Sequence, residues 1–325
     1  MIITRTPLRI SFAGGGTDLP SFYRAYGGGV VVSAAIDKFV HVLVNEKFDR
    51  SIRVAYSRTE NVERLEELQH GLVREAMRAT GIHEALEIHT IADIPSEGTG
   101  LGSSSSLTVG LLNALYAFRG ELKDPSELAQ EACQIEIDTL GGTLGKQDQY
   151  IAAFGGVQQF EFRPDDSVRV TPLPISTADR ESLSDHLSLF YTGVTRTSQG
   201  ILKEQDARTR ENQEALVRIR ELAGDARTAI VQRDWARLGA VLDEGWQLKR
   251  GLSSGISSPE IDRHFAAAKS AGAFGGKVTG AGGGGFLLVV HPPERSRQIA
   301  AALSPMTRLP VRITSEGSRI LGIHR

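Results

Sequence analysis

The sequence predicts a mixed α/β protein built from two domains. A chain of 325 residues with 40% hydrophobic content has enough apolar side chains for two cores. Segments that alternate with period two sit beside segments with helical spacing, so strands and helices share the chain. Three glycine-dense loops punctuate it: Ala13-Gly14-Gly15-Gly16-Thr17-Asp18, then Gly98-Thr99-Gly100-Leu101-Gly102 running into Ser103-Ser104-Ser105-Ser106, and Thr279-Gly280-Ala281-Gly282-Gly283-Gly284-Gly285. Each is flanked by apolar, structure-forming sequence, which flexible linkers lack.

In chain order, residues 30–35 and 39–44 read as two short strands rich in β-branched side chains, broken by Asp37-Lys38. Leu86, Ile88, Thr90 and Ala92 alternate with Glu87, His89, Ile91 and Asp93, the pattern of a half-buried strand that leads into the serine-rich loop. Beyond that loop Leu107, Leu111, Leu115 and Phe118 recur at helical spacing, so the serines fall at a helix N-terminus. Asp124-Pro125-Ser126-Glu127 resembles a capping box and opens a helix through about Leu140. Residues 162–185 turn proline-rich and polar around one short strand, which divides the chain into expected units of 1–170 and 185–325. From 199 to 248 the pattern is helical and highly charged, with an interruption at Gly224-Asp225 and a turn at Arg233-Asp234. A helix over 259–271, the third glycine loop and a buried strand over 286–290 follow.

Bulk properties exclude several function classes. A formal net charge of −2, a pI near 6.5 and the lack of any dense Lys/Arg block leave no electrostatic footprint for nucleic acid. Cys133 is the single cysteine, which rules out an intramolecular disulfide and a multi-cysteine metal cluster and fits a reducing compartment. Residues 1–7 lack the apolar run of a signal peptide and no stretch approaches membrane-spanning length, so a cytoplasmic protein with no membrane partner is expected.

Glycine lets a backbone approach a ligand closely, and serine hydroxyls with free N–H groups at a helix start attract anions. The loops therefore point to phosphate. Two familiar nucleotide signatures fail: Gly276-Lys277 is followed by Val278 and preceded by Ala271 where the phosphate-loop pattern needs glycine, and Gly280 to Gly285 precedes a strand where a dinucleotide fingerprint follows one. What remains is a nucleotide site of another design, with the loop and helix start around Gly98, Gly100, Leu101, Gly102, Ser103, Ser104, Ser105 and Ser106 wrapping the phosphates. Projected at 100° per residue, the helix over 124–140 sets Glu136 within an arc of Leu128, Ala129, Ala132, Cys133, Ile135, Ile137 and Leu140. A carboxylate there needs a cation: either Mg²⁺ shared with substrate phosphates, or a structural arginine or lysine. Asp148 reads either as a helix cap for the run over 150–154 or as the carboxylate that orients an acceptor hydroxyl. Arg9, isolated in Pro7-Leu8-Arg9-Ile10-Ser11-Phe12, is either a strand-edge charge or the cation beside that carboxylate.

With these residues assembled, the chain resembles the GHMP small-molecule kinases over nearly its whole length. Pro7-Leu8-Arg9 through Gly14 and Thr17-Asp18 is similar to the first family motif, Gly100-Leu101-Gly102-Ser103-Ser104 to the second, and Lys277-Val278-Thr279-Gly280-Ala281-Gly282-Gly283-Gly284 to the third. The resemblance implies an N-terminal α/β domain like the second domain of ribosomal protein S5, a C-terminal ferredoxin-like domain, and an active site between them with the third loop beside the second. It further implies that Ser104 and Glu136 hold Mg²⁺, that Asp148 is the catalytic carboxylate, that Arg9 helps polarise the acceptor hydroxyl, and that Asp18 holds a sugar. The acceptor pocket would include Gly15, Gly16, Thr17, Gly280, Ala281 and Gly282. Gly15-Gly16 stands where galactokinases carry Glu-His, which argues for a differently shaped acceptor. Gln147-Asp148-Gln149-Tyr150 and Phe154-Gly155-Gly156, with the first motif, are similar to the branch of the family that phosphorylates the anomeric hydroxyl of a heptose 7-phosphate. An acceptor of that kind is a sugar phosphate and needs a second basic subsite, for which Arg196, Lys277 and Arg24 are candidates. Galactose- or fucose-like acceptors, an ATP-dependent decarboxylase and a non-catalytic sugar-sensing regulator are the alternatives on the same scaffold.

Overall fold

The structure, a computed structural model, describes residues 1–94, 98–194 and 198–323. β1 (Ile2–Ala13) and β2 (Gly29–Glu46) form a long antiparallel pair joined by the first glycine loop and the single turn α1 (Pro20–Tyr23). The expected break at Asp37-Lys38 is a bulge within one continuous strand, because Pro7 faces Phe39 while Leu8 faces Ile36. Asp37 is held there by the C-terminal segment, exchanging two 2.9 Å bonds with the Arg312 backbone. β3 (Ile52–Ala55), β4 (Thr59–Val62) and helix α2 (Gly71–Ala79) precede β5 (Leu86–Ala92), which pairs antiparallel with β2 and parallel with β3.

α3 (Ser103–Phe118) starts at the serines as expected and lies across β1 and β2. α4 (Pro125–Cys133) opens with a complete capping box: Asp124 and Glu127 exchange two 2.9 Å bonds. The expected helix to Leu140 does not continue as α; residues Gln134–Thr139 widen into a π turn. α5 (Gln147–Phe154), β6 (Val157–Phe162) and β7 (Val168–Pro172) complete this half, with β6 on the first part of β2.

α6 (Thr177–Asp185) leads to β8 (Leu187–Tyr191), followed by α7 (Ser198–Ala207), α8 (Gln213–Gln232), α9 (Trp235–Arg250) and α10 (Pro259–Ser270). The expected interruption at Gly224-Asp225 is absent. α8 runs through it because Ala223 and Ala226 are fully buried on its packed face while Gly224 points outward, and packing outweighs the roughly 1 kcal/mol helix cost of one glycine. Arg233 ends that helix in the left-handed region and Asp234 caps the next, which is the expected turn. β9 (Gly275–Val278), β10 (Phe286–Val290), α11 (Ser296–Ala302), β11 (Thr307–Leu309) and β12 (Arg319–Ile323) finish the chain.

Among the described residues two sheets form. The larger follows β12-β1-β2-β5-β3-β4 with β6 and β7 attached to β2; the smaller has the antiparallel order β11-β8-β10-β9. That order, with helices between β8 and β9 and between β10 and β11, is the ferredoxin-like arrangement. β10 is apolar on both faces because it is buried on both: Phe286, Leu288 and Val290 join the main core, while Leu287 and Val289 join a second one around Trp246 and Phe265. The last strand, β12, crosses back to pair with β1.

Candidate active site

The second glycine loop is built to leave a helix start open. Gly98, Gly100 and Gly102 all have φ near +70 to +79°, and Gly102 occupies the N-cap of α3 with no side-chain cap on the free N–H groups. The third loop backs it with main chain. A Cβ on Gly100 would lie 2.6 Å from the Thr279 carbonyl oxygen, one on Gly280 2.6 Å from the Gly100 Cα, and one on Gly285 2.5 Å from the Thr99 carbonyl oxygen. Only glycine permits these approaches. Loops one and three thus flank the second around a cleft of about 560 Å³.

Along this cleft the buried hydroxyls of Ser103 and Thr99 have no hydrogen-bond partner among the described residues, and Ser104 stands exposed on the rim. Leu101 points the other way. Its side chain is fully buried and its carbonyl accepts from the Arg9 backbone N–H at 2.9 Å, so it anchors the loop to β1 without lining the cleft.

Glu136 reaches the cleft from the π turn, a local widening frequent at functional sites. It is 4% exposed, and its Oε2 accepts from Ser105 Oγ at 2.9 Å and from Gln149 Nε2 at 3.2 Å. Its Oε1 has no partner among the described residues, and no arginine or lysine pairs with it there. Burial, reinforced by the Asp148 charge, pushes its carboxyl up to about 7. An orphaned carboxylate oxygen in a cleft that Ser104 also lines fits Mg²⁺, a hard cation that takes one or two protein oxygens and fills its shell from phosphate and water.

Arg9 and Asp148 form a two-point ion pair in mid-cleft, Nε to Oδ1 at 2.7 Å and Nη2 to Oδ2 at 2.6 Å. Arg9 Nη1 also donates to the Gly100 carbonyl, tying the pair to the second loop. Asp148 sits in the first turn of α5, whose cap position belongs to Lys146, so it does not serve as the helix cap.

At the other end lies the first loop. Asp18 is 2% exposed, accepts from the Gly16 N–H at 2.9 Å and the Gln147 N–H at 3.2 Å, and is raised above the ordinary aspartate range by burial and then by Asp148. Gly145 admits it, since a Cβ there would lie 1.9 Å from Asp18 Oδ2. The expected extra room exists only in part. A Cβ on Gly15 would meet ordinary contacts at 3.5 Å and beyond, but the space at Gly16 is filled by Gln205, whose Nε2 would lie 2.4 Å away. That Nε2 and the Ser11 hydroxyl are buried without partners among the described residues. Thr17 does not face the cleft; its hydroxyl donates to the Gly14 carbonyl at 2.8 Å and holds the loop onto β2 through Val30.

Gly280, Ala281 and Gly282 line the cleft from the third loop, as do Lys277 and Lys249. Arg24 does not: it pairs with Asp166 at 2.9 Å on the surface. Arg196 lies outside the described residues. Lys249, Gln205 and Ser11 were not singled out from sequence. Lys249 carries the one available signal, as a lysine on the packed side of an amphipathic helix between Trp246 and the third loop.

Comparison with known proteins bears on this geometry. Residues 67–156 match the GHMP kinases N-terminal domain model and residues 226–305 the GHMP kinases C-terminal model. A D-glycero-alpha-D-manno-heptose 7-phosphate kinase of Campylobacter jejuni is 30% identical, the alignment covering 93% of each chain. An L-fucokinase/L-fucose-1-P guanylyltransferase of Bacteroides fragilis is also 30% identical, over 92% of this chain but 36% of that longer protein. The crystal structure of a D-glycero-D-manno-heptose 1-phosphate kinase from Bacteroides thetaiotaomicron superposes over 100% of both chains with a TM-score of 0.83 at 26% identity.

Proposed function

This chain belongs to the GHMP kinase family, and on that premise we propose that it transfers the γ-phosphoryl group of ATP to the anomeric hydroxyl of a heptose 7-phosphate. As a member of the family it is a phosphotransferase with an alcohol group as acceptor. What supports the finer reading is the set of groups one cleft brings together: the open helix start with Glu136, the Arg9–Asp148 pair, and Asp18 with Gln205 Nε2 and the Ser11 hydroxyl, which have no partner among the described residues. Phosphate, transfer point and polyhydroxy acceptor each meet matching chemistry.

In this mechanism the free N–H groups of Ser103 to Ser105 and the Ser103 hydroxyl, with the α3 dipole, cradle the triphosphate. Ser104 and Glu136 would hold Mg²⁺, which when bound offsets phosphate charge. Arg9 grips both oxygens of Asp148, fixing its orientation and leaving each oxygen a lone pair for the acceptor. Asp148 accepts the hydrogen bond of the attacking hydroxyl and takes its proton as the new O–P bond forms. Because phosphoryl transfer passes through a loose transition state, orientation matters more than early proton removal. Arg9 therefore acts through Asp148. Asp18, Gln205 and Ser11 would bind sugar hydroxyls.

The two heptose kinases that resemble this chain are named for acceptors phosphorylated at opposite ends, and the fucokinase supports a second reading with a fucose-like acceptor. An ADP-release assay across heptose 7-phosphate, heptose 1-phosphate, unphosphorylated heptose and L-fucose, with ³¹P NMR of the product, decides among them. We expect heptose 7-phosphate to give the highest kcat/KM and the new phosphate to appear on C1. A preference for L-fucose or for heptose 1-phosphate would reject the reading.

A further inference from the structure

Lys249 and Lys277 are two cations of the cleft that the mechanism above leaves unused. Their exposures are 8% and 7%. Lys249 Nζ donates to the Gly280 carbonyl and Lys277 Nζ to the Phe12 carbonyl at 3.4 Å; neither has a carboxylate partner within ion-pair distance among the described residues. A lysine ammonium has three donors, so each retains two. Burying a charge with so little compensation is costly, and two such ammonium groups side by side repel. Burial and then Arg9 hold Lys249 below the ordinary lysine range, and burial, Lys249 and Arg9 hold Lys277 below it, against a partial offset from Asp18 on both and from Asp148 on Lys249. An arrangement of this kind is relieved by a dianion.

Their position says which dianion. Lys249 and Lys277 line the same cleft as Arg9, Asp148 and Asp18, and the Asp18 carboxylate of the first loop is near enough to act on both. The lysine pair thus shares the cleft with Asp18 of the first loop. Lys277 is tied to Phe12 at the end of β1, directly before the first glycine loop, and Lys249 to Gly280 of the third. The first loop carries Gly15, Gly16 and Asp18 of the acceptor end, and the third reaches from there to the second, where Gly280 packs on Gly100.

We propose that Lys249 and Lys277 form the subsite for the phosphate monoester already carried by the acceptor, and so select phosphorylated over unphosphorylated sugars. This rests on the reading of the cleft as a sugar kinase site, and it assigns the subsite to side chains from α9 and β9 in place of Arg24.

The test compares kcat/KM for heptose 7-phosphate and for unphosphorylated heptose in the wild type, Lys249→Met and Lys277→Met, with the charge-retaining Lys249→Arg as a fold control. Methionine fills similar volume and removes a buried charge, which a core tolerates well. Loss of a charge-assisted contact to phosphate should shrink the ratio of the two kcat/KM values by roughly 10- to 100-fold in each methionine variant, with Lys249→Arg retaining part of it. An equal loss with both acceptors, or an unchanged ratio, would overturn the subsite while leaving the kinase reading intact. A parallel thermal-shift titration with inorganic phosphate does not depend on turnover. If the wild type turns over neither heptose yet is stabilised by phosphate, and both methionine variants lose that stabilisation, the subsite stands and the heptose reading falls. If phosphate stabilises the variants as it does the wild type, the subsite falls.

Discussion

Asp148 and Glu136 are both carboxylates of one cleft, yet their surroundings divide their tasks. Asp148 is gripped at two points by Arg9 and stays partly open to the cleft, so its charge is compensated before any ligand arrives. Replacing it by asparagine keeps the shape and removes the proton acceptor; kcat should fall by roughly 10² to 10⁴ while the KM for ATP holds nearly constant, as read in steady-state kinetics. Near-normal turnover would return Asp148 to a purely structural role. Glu136 is buried with one oxygen unpaired among the described residues, and burial pushes its carboxyl up to about 7. A carboxyl raised in the folded state keeps its proton longer than in the unfolded chain, so the metal-free protein loses stability as pH rises from the ordinary glutamate range through 7. Glu136→Gln should abolish that loss. Thermal melts without metal or nucleotide should then show the variant more stable than wild type at pH 8, by up to about 3 kcal/mol, and the two alike near pH 4. The reverse order at pH 8 would mean that Glu136 is compensated by something other than a ligand. Asp148 was legible in sequence only as a choice between cap and catalyst, because both need an acidic side chain at a helix start. The structure removes the cap, since Lys146 holds that position, and pairs Asp148 with Arg9; its catalytic role is the proposal made above.

At the scale of elements, the glycine loops differ in what their glycines do. In the second and third, glycine permits main chain to touch main chain, so that a loop far along the chain braces the one at the helix start. In the first, Gly14 clears the Val30 carbonyl and Gly16 clears Gln205, leaving Gly15 as the one position of the pair that opens space to the cleft. Gly145 clears Asp18, and its backbone has no need of the left-handed region. Gly145→Ala therefore tests contact alone. It should displace Asp18 and raise the KM for the sugar roughly 10-fold or more with little change in the KM for ATP, a contact worth one charge-assisted hydrogen bond. An equal rise in both constants would argue for general collapse of the site. The elements themselves were largely readable: α3, α10, β5 and the capping box of α4 follow from spacing and cap residues. The π turn at Gln134–Thr139 was not, because a uniform 100° projection assumes the regular helix that the turn abandons. Leu140 accordingly ends exposed, away from the buried arc the projection gave it.

For the whole molecule, two sheets of different design share one continuous core. Leu187, Leu189, Phe286 and Leu288 of the smaller sheet pack in the same cluster as Leu8, Ile10 and Val31 of the larger. We propose the two units, 1–170 and 185–325, as the halves that shape the cleft, with the second returning β12 to the sheet of the first. The return is pinned by side chains: Ser318 meets Thr6 at 2.8 Å and Asn113 at 3.0 Å, and Arg5 pairs with Glu316. Nothing in the period of residues 319–323 tells which sheet they join, since pairing partners are chosen by the fold.

The sequence by itself determined the class of chemistry and most of the local structure. Glycine and serine at a helix start, a carboxylate on an apolar arc, and strand and helix periods are properties of short windows, and short windows are what a linear pattern records. The tertiary structure decided which charges meet. Arg9 finds Asp148 across 139 positions, Arg24 turns away to Asp166, and Lys249 and Lys277 arrive from separate elements with no carboxylate within ion-pair distance of either among the described residues. Electrostatic interaction depends on distance through space and on burial, and neither is written along the chain until it folds.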